Sequence, residues 1–230
     1  MTAWVRAEWR ARIAAEYTSA TITQSYVLWL MQAGAPPDLI DAGLSIVADE
    51  LVHSRMSHDV YVAAGGSEPP RLDRNALGLM RTRDALERDL TIACVRVFCL
   101  GETVAVPLFK HLRERCTEPS ARAALDRILR DEARHRDFGW DVLDWLMATT
   151  PETRGWVEGA LPKLFGELES SYGDANAIVA SDDGAITDEE RSWGLAPPRE
   201  YAEILDRTFE REWIPRFLVR KITALKPAPS

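Results

Sequence analysis

Asp49-Glu50-Leu51-Val52-His53 and Asp131-Glu132-Ala133-Arg134-His135 are two copies of one word, Asp-Glu-x-x-His, set well apart in the chain. Both stand in sequence with a helical apolar rhythm. On a helix, residues three apart share a face, so the Glu and the His of each word can grip one metal ion together. A lone glutamate precedes each word by a similar interval, Glu16 before Glu50 and Glu102 before Glu132. Near the middle of each interval is a turn signal, Gly34-Ala35-Pro36-Pro37-Asp38 in the first and Cys116-Thr117-Glu118-Pro119-Ser120 in the second. If each interval is a helical hairpin, each carboxylate stands roughly 23 to 27 Å from its turn at about 1.5 Å per residue. All four carboxylates are then level, and with His53 and His135 they make a ligand set for two ions.

Burial gives the same reading independently. Four carboxylates facing the inside of a helical protein repel one another and lose hydration, so they need protons or metal to persist. Two divalent cations balance four negative charges. The aspartates that open the words, Asp49 and Asp131, have a role beside this: a metal-bound imidazole donates its other ring N–H to a carboxylate, which fixes its tautomer. Each is expected to reach the histidine of the opposite motif, with a plain surface acid as the alternative. The chain has four histidines, and His58 and His111 lack a Glu three residues before them, so they are read as surface or boundary groups.

Working outward, the apolar rhythm of Ile13, Tyr17, Ala20, Ile22, Val27 and Leu30 predicts a first helix over 3–33, ending at Gly34 and the two prolines. A second runs from an N-cap at Asp38 to Ala64. The stretch 65–75, with Gly65-Gly66 and Pro69-Pro70, reads as an irregular connection between hairpins. A third helix is expected over 75–116, irregular near Gly78, and a fourth from Ser120 to Met147. Pro107 cannot donate to the helical ladder, so the ladder must open near residue 103, and a kink or π-bulge is expected beside Glu102. A fifth helix follows Pro151, then a polar loop over 173–187 containing Ser181-Asp182-Asp183-Gly184, then a last helix over 198–222. The eight tryptophans are assigned to the core. The run Arg71, Arg74, Arg81, Arg83, Arg88 is interleaved with acids and reads as a solvated face.

The chain of 230 residues is read as one all-α domain, with a metal-binding bundle over 3–148 and a C-terminal helical extension over 149–230 packed on it. The net charge of −8 argues against a nucleic-acid or anionic-membrane partner, both of which are bound through clustered Lys and Arg. Cys94, Cys99 and Cys116 form no Cys-x-x-Cys pair and read as reduced thiols. The N-terminus lacks the apolar stretch of a signal peptide, and runs such as Tyr26 to Met31 are too short to cross a bilayer. We therefore expect a soluble cytoplasmic protein.

With Glu16, Glu50-x-x-His53, Glu102 and Glu132-x-x-His135 in that order, the chain resembles the ferritin-like di-iron carboxylate superfamily over residues 3–148. The doubled Asp-Glu-x-x-His resembles its oxygen-activating hydroxylases and N-oxygenases in particular. The resemblance implies a four-helix bundle with a long crossover between its second and third helices, and two iron ions, manganese or a mixed pair being alternatives. It implies Glu50 and Glu132 as bridging ligands, Glu16 and Glu102 as terminal ligands, and one histidine on each ion. Departures narrow it. Val106 stands where multicomponent hydroxylases carry threonine, Ser57 where a radical-generating ribonucleotide reductase subunit carries tyrosine, and rubredoxin-like cysteine pairs are missing.

The expected function is an oxygen-dependent oxidoreductase in which the carboxylates Glu16, Glu50, Glu102 and Glu132 serve the chemistry. Its partners are dioxygen, a small organic substrate and an external electron donor; the sequence allows a homodimer and leaves the oligomeric state open. Residues a turn or so from the ligands, Ser19, Ala20, Thr23, Phe98, Cys99, Val106 and Phe109, are expected to line an apolar substrate cavity. The alternative is a ferroxidase or iron-storage protein using the same six ligands.

Overall fold

A computed structural model describes residues 2–82, 84–177 and 186–224, and among these every regular element is helical. The elements are α1 (Ala3–Gln32), α2 (Pro37–Ala63), a short 3-10 turn (Arg74–Ala76), α3 (Leu86–Ala93), a π-helical segment (Cys94–Glu102), α4 (Thr103–Glu114), α5 (Pro119–Thr149), α6 (Thr153–Ala177), α7 (Asp188–Ser192), α8 (Pro198–Thr208), a second π segment (Phe209–Trp213) and α9 (Ile214–Val219). Arg83 of the basic run and Ser181 to Gly184 of the polar loop lie outside the described residues. The contacts group into two compact units. One holds Met1–Met80, Phe109–Asp131 and Ile186–Ala196, and the other Arg81–Leu108, Glu132–Ala185 and Pro197–Ser230.

In the first unit α1 and α2 form a hairpin. Thr2 caps α1 through its side chain, and the helix ends where Gly34 takes φ +72, a left-handed conformation that glycine adopts without strain. The start of α2 differs from the sequence reading. Pro36 is the cap residue and makes no side-chain bond, Pro37 opens the helix, and Asp38 sits in the first turn. Proline at the first helical position needs no donor and has its φ preset, while Asp38 still faces the positive helix end. The two helices are level where Ser54 Oγ donates to the Ile13 carbonyl at 3.1 Å. Segment 187–196 belongs to the same unit. A capping box of Thr187 and Glu190 starts α7, Trp9 Nε1 donates to the Trp193 carbonyl at 3.0 Å, and Arg12 Nη2 donates to the Gly194 carbonyl at 3.1 Å.

The second unit is built around the π segment. Pro107 lies inside α4 and removes a donor from the ladder that leads back to residues 102 and 103, and the π geometry ends at Glu102. A kink or bulge is what the sequence predicts here, but the irregular stretch covers nine residues, longer than a single-turn bulge. The π backbone lies close against α5 at Gly139, where an added Cβ would stand 2.5 Å from Phe98 Cβ and 2.9 Å from the Phe98 backbone carbon. Phe98 meets Phe138 edge to face at 5.0 Å. Farther along, Phe165, Phe209 and Trp213 cluster with ring centroids 4.8 to 6.2 Å apart. Each such side chain contributes about 1.5–3 kcal/mol by leaving water, and together they hold α6 against the second π segment. The last helix is tied by Arg220, which bonds Asp144 at 2.7 Å and lies over the Trp140 ring.

Three further sequence expectations meet the structure here. The third helix begins at Leu86 rather than near 75, because residues 77–82, 84 and 85 are irregular after the short 3-10 turn. Trp9, Trp29, Trp140, Trp193 and Trp213 are core residues, whereas Trp4, Trp145 and Trp156 are only half-buried. The helical run Leu86–Glu114 is long and apolar enough to cross a bilayer, and half of its most apolar window is buried within the protein. Arg96 and Glu102 interrupt that run in the sequence, which is why its length escapes a search for unbroken apolar stretches.

Candidate metal centre

In the first unit α1 supplies Glu16 and α2 supplies Glu50 and His53, with exposures of 7%, 1% and 0%. One ligand atom of each lies within 4.8 Å of the others. His53 Nδ1 stands 3.7 Å from Glu16 Oε2 and 3.7 Å from Glu50 Oε2. Those separations are long for hydrogen bonds. They suit donors around a shared cation: two atoms each about 2.1 Å from one ion can be at most about 4.2 Å apart.

The far side of the imidazole is held as well. His53 Nε2 and Asp131 Oδ2 are 3.0 Å apart, so with the proton on Nε2 the ring donates to Asp131 and presents the Nδ1 lone pair toward Glu16 and Glu50. Asp131 comes from α5, so the carboxylate behind His53 is that of the other Asp-Glu-x-x-His word. Asp131 is 1% exposed and also accepts from Arg127 Nε. The Arg127 Nη2 donates to Asp49 Oδ1 at 2.9 Å. One guanidinium thus joins the aspartates of both words. Arg127 is absent from the sequence reading, although its place four residues before Asp131 on one helix was a usable signal.

Titration within the cluster follows from these neighbours. Burial pushes Glu16 up to about 7, against the lowering effect of His53. Burial also pulls the His53 imidazolium down, but the carboxylates of Glu16 and Glu50 outweigh it and carry the ring up to about 11. For Asp131, burial raises the carboxyl, and the bonds from Arg127 and His53 outweigh it and leave the group below the usual range. The cluster holds protons that an arriving cation would displace.

In the second unit Glu102 ends the π segment, and Glu132 and His135 sit three apart on α5. Their exposures are 8%, 2% and 0%. One ligand atom of each again lies within 4.8 Å of the others, and His135 Nδ1 stands 3.6 Å from Glu132 Oε2. Trp140 Nε1 donates to Thr103 Oγ1 at 3.1 Å, which ties the residue after Glu102 to α5.

Each unit therefore brings together two carboxylates and one imidazole, and both donor sets suit a first-row divalent ion. His58 is exposed and 4.0 Å from Asp59, and it joins neither set. His111 is half-buried and likewise outside them. Of the residues expected to line a substrate cavity, Ala20, Thr23, Phe98 and Cys99 are buried, while Ser19, Val106 and Phe109 are half-buried. A cleft of about 260 Å³ in the first unit lies elsewhere, between Arg6, Arg10, Tyr61 and Glu68, and none of those seven lines it. Comparison with protein-family models, curated proteins and solved structures finds no match to this chain.

Proposed function

We propose that the two triads are halves of one dinuclear metal centre in a ferritin-like four-helix bundle, and that the protein is an oxygen-dependent oxidoreductase. The observation that carries the reading is the pair of buried Glu, Glu, His triads, each with its ligand atoms within 4.8 Å. Chain continuity supports joining them. Asp131 bonds His53 of the first triad, and the next residue of the same helix, Glu132, belongs to the second. Glu50 and Glu132, like Glu16 and Glu102, would be the carboxylate ligands of the two ions.

A pair of iron ions supplies the reduction of dioxygen, with manganese able to occupy similar sites. The chain's own residues would do the rest. Glu16, Glu50 and His53 would hold one ion; Glu102, Glu132 and His135 would hold the other. Asp131 would keep the His53 proton on Nε2 and leave Nδ1 to hold the ion. Glu50, His53, Glu132 and His135 are themselves almost fully buried, which would limit access of water to the ions. Inserting oxygen into a small apolar substrate draws electrons from an external donor, which belongs to the same proposal.

The test has two arms. Protein isolated with its native metal should carry close to two metal equivalents by elemental analysis. The iron(II)-loaded protein should then consume dioxygen, faster when a reductant and a small aromatic substrate are supplied. Metal-free isolates that cannot be reconstituted would refute the centre. Iron(II) oxidation coupled to assembly of a many-subunit shell would favour iron storage over catalysis.

A further inference from the structure

The π segment makes a pair of cysteines that an α-helix would keep apart. Cys94 opens the segment and Cys99 is five residues on. In an α-helix, with a radius of about 2.3 Å and a rise of about 1.5 Å, residues five apart have Cα atoms roughly 8.7 Å apart on different faces, beyond the about 7 Å limit for a disulfide. In the π turn the ladder closes at five residues, so the two share a face. Here their sulfurs are 4.0 Å apart, both residues are fully buried, and both thiols donate to the Gly139 carbonyl, at 3.2 and 3.4 Å. An added Cβ on Gly139 would stand 3.1 Å from the Cys99 backbone nitrogen. The dithiol therefore lies where α5 and the π segment touch backbone to backbone.

We propose that Cys94 and Cys99 form a redox-sensitive dithiol that hydrogen peroxide closes to an intrahelical disulfide. One sulfur, as thiolate, attacks the peroxide O–O bond and breaks it, giving a sulfenic acid and releasing hydroxide, which takes up the thiol proton to become water. The second sulfur attacks the sulfenic sulfur and expels its hydroxyl, which leaves as a second water with the second thiol proton. Each sulfur gives up one electron, and the two electrons reduce the two peroxide oxygens. Closing brings the sulfurs from 4.0 Å to about 2.05 Å by side-chain rotation. Burial pushes the Cys99 thiol well above the usual thiol range, so the reaction is slower than at an exposed thiol. The disulfide is uncharged and carries no such penalty. Once closed, the bond fixes the five-residue spacing and withdraws both donors from Gly139. The bond does not rest on the metal reading.

The test uses the full chain, reduced, freed of metal and still folded by circular dichroism, exposed to hydrogen peroxide and then quenched, denatured, alkylated and digested with trypsin. Trypsin cuts after Arg96, between the two cysteines, so the disulfide links fragment 89–96 to fragment 97–110. The expected result is loss of two of the three thiols together, the mass of two hydrogens missing, and a linked fragment pair that separates on reduction while Cys116 stays alkylatable. In concentrated urea Cys116 should lose its protection and be oxidised as well, with links to it rarer than the 94–99 link only because the longer loop costs more to close. Three alkylatable thiols after peroxide treatment would overturn the proposal. So would oxygen adducts on Cys94 or Cys99 without the linked pair, links to Cys116 in the folded protein, or the same selectivity in urea. None of these readouts involves a bound metal, so the proposal and the metal reading fail separately.

Discussion

Replacing Asp131 by asparagine tests how the His53 ring is held. The side chain is buried, its Oδ2 receives the His53 Nε2 proton at 3.0 Å, and it is also bonded by Arg127. Asparagine preserves the shape and can keep one accepted bond, but it removes the charge. Bonds to charged groups are worth about 1.5–3 kcal/mol and neutral ones about 0.5–1.5, so the exchange costs about 1–2 kcal/mol. Loss of the carboxylate behind a ligating histidine weakens metal binding by about 10- to 100-fold, or about 1.4–2.8 kcal/mol, and the two figures overlap. Arg127 reaches His53 only through Asp131, and its side chain is 34% exposed. Arg127→Gln should therefore cost less, about threefold, after allowance for screening. The losses in the double variant should be less than additive, because Arg127 reaches His53 through Asp131 and only its bond to Asp49 acts apart from it. The assay is competition for manganese(II) against a chromophoric chelator, on variants whose helicity matches the unaltered chain. An Asp131→Asn affinity within about twofold of the original, or single losses that simply add in the double variant, would refute this account.

Glu50→Ala and His135→Ala should each lose most bound metal while remaining folded and helical; elemental analysis showing unchanged content in both would remove the ligand assignment. Metal uptake at neutral pH should release protons, because His53 is held up to about 11 and Glu16 up to about 7 before the ion arrives. Protons compete with the cation, so affinity should fall as pH falls, and an affinity that is flat between about pH 6 and 8 would contradict the cluster's electrostatics. Gly139→Ala places a methyl 2.5 Å from Phe98 Cβ and should destabilise the fold by about 1–3 kcal/mol, read as a lowered Tm; an unchanged Tm would show that α5 can move away. Asp89, 6% exposed, is raised by burial but held below the ordinary carboxylate range by Thr82 and Arg81. Its contribution is present above about pH 4 and is lost as pH falls through the lowered value, so Asp89→Asn should be less stable at neutral pH and show a shallower acid loss in urea titrations.

The helical periods and turn residues were legible because they are local. Gly34 with the prolines after it, and Pro107 within an otherwise apolar helix, each dictate backbone behaviour over a few residues: the first helix stops just before Gly34, and the π geometry ends at Glu102, about a turn before Pro107. The extent of the π segment was not legible. One proline announces that a ladder must open, but how far the opening spreads depends on what packs against it, here the bare backbone of Gly139. The placement of 187–196 within the first unit was equally hidden, since it depends on bonds from Trp9 and Arg12, near the start of the chain, to the distant carbonyls of Trp193 and Gly194.

The site was legible for a geometric reason that also explains what was missed. An α-helix turns through about 100° per residue, so in Asp-Glu-x-x-His the Glu stands about 100° around the helix from the Asp, and the His about 40° from it on the same side. All three therefore share one arc, and the two x positions point away. Exposure follows this in both words: Asp49, Glu50 and His53 are buried with Leu51 and Val52 half-buried, and Asp131, Glu132 and His135 are buried with Arg134 exposed. Asp and His are close in angle but a full turn apart along the axis. The aspartate thus projects beside its own histidine rather than onto it, and a partner helix can offer its ring instead, as His53 does to Asp131. A word that buries an extra carboxylate on each helix also creates a charge to be balanced away from any ion. That requirement was readable in principle, and Arg127, bonded to Asp49 and Asp131 alike, is the residue that meets it.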